Sequence, residues 1–187
     1  MTSAVTHWHA EHANFSRLLG LLEAQLAVFH EGGKPNYELM IDIVSYLRHY
    51  PDRFHHARED VAFARLVARE PGLHGKISRL LQEHRVIANA GDELLELLNE
   101  VADEAVVSRA TVEAAAATYL VYYRHHLATE EQDVLPRAAE LLTPEDWAAV
   151  NATVPAGRDP LFGDASEERY RELRRLIMLE ASGAQAR

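Results

Sequence analysis

A half-unit of the form His … His-x3-Glu occurs twice in this chain, and no other feature limits the fold so strongly. The first copy is His12, then His55 and Glu59; the second is His84, then His126 and Glu130. His12 and His84 are 72 residues apart, and the pairs His55/His126 and Glu59/Glu130 are each 71 apart. In an α-helix, four residues rise roughly 6 Å and turn about 40° past one full turn. A histidine and a glutamate at that spacing share one face, one above the other. Imidazole nitrogen and carboxylate oxygen together suit a borderline divalent or trivalent ion. A single His-x3-Glu among eleven histidines is ordinary on a solvated helix face. Two copies in register, each with an upstream histidine at matching distance, point to a metal site built from four helical segments.

The register also separates the paired histidines. His56 aligns with Leu127 and His125 with Phe54, so only His55/His126 and Glu59/Glu130 recur together. A regular helix rotates a side chain by about 100° per residue. With His55 and His126 inward, His56 and His125 are expected to swing toward a neighbouring helix or solvent. Glu11 and Glu83 precede His12 and His84 and lie equally far round the helix. Ligating histidines donate their second N–H to a carboxylate or carbonyl, but these glutamates are poorly placed for their own neighbours and are expected to serve a residue on an adjacent helix.

Composition narrows the class. A chain of 187 residues can bury a real core as one domain. The absence of cysteine excludes disulfides, thiolate metal sites and cysteine nucleophiles. A formal net charge of −10 argues against nucleic acid, whose phosphates would be repelled. No run of eighteen apolar residues exists, so no membrane span is expected. The N-terminal residues lack the basic and apolar regions of a secretory signal, which makes the cytoplasm the expected location.

Helical periodicity covers most of the chain. Val5, Trp8, Phe15, Leu18, Leu19, Leu22, Leu26 and Phe29 mark a first helix over residues 3–31, stopped by Gly32-Gly33-Lys34-Pro35. A second runs over 37–69, with Pro51 expected to kink or split it just before the motif. After Glu70-Pro71-Gly72 a third spans about 74–103, and a fourth 108–142 through a four-alanine run, with Pro136 interrupting its last turns. Thr143 as N-cap, Pro144 at the first position and acids in the first turn open a short helix. Residues 154–165 read as a surface loop. Ser166 is expected to cap a last helix to about residue 180, packing through Leu173, Leu176, Ile177 and Leu179, with 183–187 frayed. No alternating strand pattern occurs.

Four long helices with short connections predict an all-α, up-down-up-down four-helix bundle over residues 1–142, with residues 143–187 as a helical extension packed on it. Each long helix then brings its histidine to one cluster. Four histidines and two carboxylates are too many for one ion and suit two, each with two histidines, bridged by Glu59 and Glu130.

This pattern resembles the hemerythrin-like HHE cation-binding domain of bacterial type. The words Tyr50-Pro51-Asp52-Arg53-Phe54-His55-His56 and Glu130-Glu131-Gln132-Asp133-Val134-Leu135-Pro136 carry the likeness too, over about residues 5–142. The segment Arg158-Asp159-Pro160-Leu161-Phe162-Gly163 and the last helix resemble the C-terminal extension of bacterial members. The resemblance implies a non-haem di-iron centre, with two ions bridged by oxo or hydroxo and by carboxylate. It implies His12, His55, Glu59, His84, His126 and Glu130 as the metal ligands. One departure stands out. Oxygen-carrying hemerythrins have a second histidine four residues from the third-helix ligand, where this chain has Leu80 and Ala88. His9, His125 and Tyr122 are the candidates to replace it, each read first as a hydrogen-bonding or packing residue. His7, His30, His49 and His74 have no registered partner and are expected at the surface.

Few anionic ligands stabilise high-valent iron poorly. That favours reversible binding or two-electron peroxide chemistry over C–H oxidation. With no substrate pocket, acid–base pair or partner domain legible, the expected function is binding or sensing of O2, NO or iron, and the alternative is an enzyme of peroxide or nitric-oxide detoxification. The partners implied are a small diatomic ligand or peroxide, with neither nucleic acid nor membrane. A homodimer is compatible with this reading.

Overall fold

The computed structural model describes residues 3–154, 157–164 and 166–184. Helices α1 (Ser3–His30), α2 (Tyr37–Tyr50), α3 (His56–Arg69), α4 (His74–Ala102), α5 (Arg109–Thr129) and α6 (Leu135–Leu141) build the bundle. A π-helical turn, Pro51–His55, joins α2 to α3, and a second, Glu130–Val134, joins α5 to α6. The bundle therefore has four rods: α1, α2 with α3, α4, and α5 with α6. No strand occurs among the described residues.

The ends of the rods follow from local chemistry. At the end of α1 the Gly33 N–H donates to the Val28 carbonyl at 2.9 Å and the Gly32 N–H to that of Phe29 at 3.1 Å. Gly32 takes the left-handed φ of 83° that this Schellman cap requires. The end of α4 repeats the cap with Glu104 at φ 62°. Asn36 caps α2 by accepting from the Leu39 N–H.

Proline is not merely a kink here. Pro51 has no N–H to donate, and the His56 N–H reaches the Pro51 carbonyl five residues back. In the fourth rod the Leu135 N–H likewise reaches the Glu130 carbonyl, just before Pro136. Each π-turn inserts an extra residue into its helix and shifts the facing of the residues after it.

Apolar residues form two cores. One contains Phe15, Leu19, Met40, Ile43, Ile87, Leu94, Tyr119 and Tyr123. The other contains Trp8, Phe63, Leu66, Ile77, Leu80, Val134, Leu135 and Trp147. Along every rod the polar candidates lie between members of the two. His12 falls between Trp8 and Phe15, His84 between Leu80 and Ile87, and His126 and Glu130 between Tyr123 and Val134. A buried polar layer is thus held between apolar ones.

Beyond the bundle, α7 (Pro144–Thr153) packs on α3 and α8 (Arg171–Ala184) on α2. Thr143 and Asp146 make the reciprocal capping box at the start of α7, and Arg65 and Arg69 of α3 bind Asp146 at 3.1 and 2.6 Å. The last helix differs from expectation at its start. It begins with a 3-10 turn, Glu168–Tyr170, and Glu167 rather than Ser166 holds the cap position. Leu173 and Ile177 are buried and Leu176 partly so, but Leu179 is 55 % exposed because it falls on the outer face. Residues 183 and 184 continue the helix, and the remainder of the expected frayed tail lies outside the described residues.

Candidate metal centre

His12, His55, Glu59, His84, His126 and Glu130 are all buried in the layer between the two cores, with His55, Glu59, His126 and Glu130 fully enclosed. Glu59 sets Oε1 3.1 Å from His55 Nε2 and 3.5 Å from His12 Nε2, and turns Oε2 to His84 Nε2 at 3.6 Å. Glu130 sets Oε1 3.2 Å from His126 Nε2 and 3.8 Å from His84 Nε2, and turns Oε2 to His12 Nε2 at 3.6 Å.

A seventh side chain stands in the layer. His56 is buried, stacked on His84 with ring centroids 4.3 Å apart and planes 16° from parallel. Two sets of donor atoms lie close enough to share an ion: His56, Glu59, His84 and His126, and His12, His55 and Glu59, each within 4.8 Å. The expectation that His56 swings away assumes a regular helix. The π-turn before it resets the facing of the residues that follow, and both His55 and His56 are buried, His56 against His84.

Every histidine of the layer rests its Nδ1 on a carboxylate: His55 on Glu11 at 2.9 Å, His12 on Glu131 at 2.7 Å, His84 on Asp60 at 2.8 Å, His126 on Glu83 at 3.3 Å and His56 on Asp52 at 2.8 Å. A carboxylate only accepts, so Nδ1 carries the proton and Nε2 is left as the lone pair facing the layer. Glu11 and Glu83 serve the adjacent helix, as their position beside His12 and His84 predicts. Asp60 and Glu131 are 71 residues apart and complete the repeat, a signal present in the sequence beside Glu59 and Glu130.

The layer fits a metal by what it leaves unsatisfied. Both oxygens of Glu59, both oxygens of Glu130, and Nε2 of His56, His84 and His126 are buried without a hydrogen-bond partner. His12 Nε2 and His55 Nε2 approach to 2.8 Å, a hydrogen bond that forms once one of the two rings carries a second proton. Such groups are costly when buried unless paired or coordinated. In the metal-free chain protons on His12, His55 and His84 take part of that place. Burial disfavours the imidazolium of His12, yet Glu131, Glu59 and Glu130 raise its pKa to about 10. Burial opposes the Glu59 carboxylate too, but His55, His12 and His84 hold it well below the usual range. His56 is the exception, pushed down by burial and by neighbouring His84, and so kept neutral.

The other candidates for a missing ligand stay outside. His9 places Nδ1 on Glu131 at 2.5 Å, His125 is exposed beside Glu83, and Tyr122 is exposed. His7, His30, His49 and His74 are at the surface. No helix among the described residues is long and apolar enough to cross a membrane.

No curated protein sequence and no solved structure matches the chain. The family model of the hemerythrin HHE cation binding domain matches residues 3–138, which spans the four rods and the whole buried layer. With its histidines and glutamates set to hold a metal cation, the chain belongs to the hemerythrin HHE cation-binding family.

Proposed function

We propose that the buried layer holds two iron ions bridged by Glu59 and Glu130, and that the chain binds or senses O2 or NO there. The observation that carries this reading is the division of each carboxylate. One oxygen of Glu59 and one of Glu130 turn toward the His12 side, and the others toward His84. On this reading His12 and His55 hold one ion, and His56, His84 and His126 the other. Imidazole and carboxylate suit iron among the borderline metals. Bound there, iron supplies reversible ligand binding and electron transfer.

The chain's own residues would supply the surroundings. The apolar cores keep bulk water from the layer. The five outer carboxylates orient the imidazoles. A cavity of about 360 Å³ between α1 and α5 reaches His12, with Ala13, Ser16 and Ala128 leaving the room. In the other half of the repeat, the places of Ala13 and Leu127 are taken by Arg85 and His56. Access thus favours the side that has two histidines rather than three.

A second reading, an enzyme of peroxide or nitric-oxide detoxification, is favoured by one feature. His9 and Glu131 line the same cavity and lead by contacts of 2.5 and 2.7 Å to His12, a path for a proton between cavity and layer. Iron analysis of the purified chain, with absorption spectra before and after O2 or NO, tests the proposal. About two iron ions per chain with a charge-transfer band on exposure supports it, and a chain that takes up no iron sinks it. Steady consumption of peroxide or NO selects the enzyme.

The protons of the metal-free layer give a further expected outcome. The folded pKa of His12, about 10, lies above its ordinary 6.5. Its stabilising contribution is therefore complete below about pH 6.5 and lost as pH rises through 10. The metal-free protein should melt at progressively lower temperature from neutral pH to about pH 10. In the iron-loaded protein the ion replaces that proton, and the decline should be much smaller over the same range. Equal declines in the two forms would count against His12 as a ligand.

A further inference from the structure

The C-terminal extension folds back on the π-turn that carries His55, and a cavity of about 280 Å³ remains between them. Its walls run against the character of the chain. The net charge is −10, yet Arg53, Arg158, Arg169 and His49 line this cavity against a single carboxylate, Glu167. The rest is largely aromatic: Tyr50, Phe54 and Tyr170. The Arg53 guanidinium lies 5.3 Å from the Phe54 centroid, and that of Arg169 5.5 Å from Tyr170. Arg169 already pairs with Asp42 at 3.0 Å. Arg53 is exposed and has no ion pair among the described residues.

The walls are fixed in place. Asp159 accepts from the backbone N–H groups of Leu161 and Phe162, each at 2.8 Å, and from the Tyr46 hydroxyl at 3.0 Å. Gly157 lies flat on Phe54, where a Cβ would meet ring atoms at 2.4 to 2.5 Å. The loop of the extension is thus held on α2 and on the turn. Tyr50, on the cavity wall, donates to Glu11 at 3.1 Å, and Glu11 holds His55 Nδ1 at 2.9 Å. An occupant would rest two hydrogen bonds from the metal layer.

We infer that this cavity binds a small planar organic anion, an aromatic body bearing a carboxylate or phosphate. Arg53 takes the head group, and Tyr50, Phe54 and Tyr170 face the ring. Guanidinium groups match both head groups with paired, charge-assisted hydrogen bonds. Apolar walls with a few convergent charges are the usual make-up of a small-molecule site. The volume admits one ring with its head group and excludes a dinucleotide. The inference stands on the cavity alone and does not depend on iron.

Calorimetric titration at low salt, on metal-free and on iron-loaded protein, tests it with phenyl phosphate, benzoate and inorganic phosphate. Saturable one-to-one binding of phenyl phosphate or benzoate is expected, and the tighter of the two identifies the head group. Arg53→Gln should weaken it by roughly tenfold or more, while Arg79→Gln, on another face, should not. Arg53 makes no ion pair, so its variant keeps the fold, which helical circular dichroism verifies. Absence of saturable binding overturns the inference, as does an Arg53→Gln protein that binds like the parent. Inorganic phosphate binding as tightly as phenyl phosphate would overturn the aromatic class.

Discussion

Glu59→Ala and Glu130→Ala should each empty the whole centre of metal, whereas Glu31→Ala should leave it full. Both carboxylates are fully buried, and neither has a hydrogen-bond partner on either oxygen. Each divides its oxygens between the two histidine groups, so with the two bridged ions proposed above its loss would remove a donor from both at once. Glu31 is exposed at the end of α1 and contributes nothing there. The expected readout is iron content, falling from about two per chain toward none at iron levels that saturate the parent. A thermal readout accompanies it. A ligand held only by the native state at about 100 times its Kd adds about 2.7 kcal/mol, which raises the melting temperature of a chain this size by roughly 5–10 °C. That gain should vanish in both variants. Loss of only one ion would make the carboxylate a terminal ligand rather than a bridge, and full loading would refute its place in the centre.

The two glutamates and four histidines of the repeat were legible as one buried group because they recur. A repeat of about 71 residues is visible without knowing any angle between helices, and it extends to Glu11/Glu83 and Asp60/Glu131. Helix rods and stops, and the cap at Thr143, were legible for a similar reason: Gly32, Thr143 and Asp146 act within a few residues of themselves. The features that did not show are those that break the repeat or depend on facing. Asp52 and His56 have Tyr123 and Leu127 as their counterparts, so no periodicity marks them. Their role rests on the π-turn at Pro51, and a proline announces only that a regular hydrogen bond is missing, not how the chain closes the gap. Leu179 is a different case: two residues past Ile177 it lies about 200° round the helix, off the stripe of Leu173, Leu176 and Ile177, and it is exposed.

Removal of His56 should cost the centre more than removal of any other histidine that the repeat leaves unmatched. His56→Ala is expected to weaken iron binding on the His84 and His126 side by at least roughly tenfold, while His125→Ala leaves both ions in place. The reason lies in the backbone. The His56 N–H reaches the Pro51 carbonyl, and the added residue in that turn brings two successive side chains to the bundle axis. Asp52, four residues back, accepts from His56 Nδ1 at 2.8 Å and so leaves Nε2 as the free lone pair. That Nε2 is buried with no hydrogen-bond partner. The ring stacks on His84 and meets His126 edge-on at 5.6 Å, which gathers three Nε2 atoms around one point. Burial and His84 also keep it neutral, the form that ligates. A packing role would predict otherwise: His56→Ala would lower thermal stability and leave iron content alone. Iron analysis and melting of the same sample separate the two. Asp52→Asn adds a second check, because an amide can donate as well as accept and no longer enforces the tautomer. It should weaken iron binding in the same direction as His56→Ala, by less, with little change in the melting of the metal-free protein. Full iron loading in His56→Ala would leave the centre with the four histidines of the repeat alone.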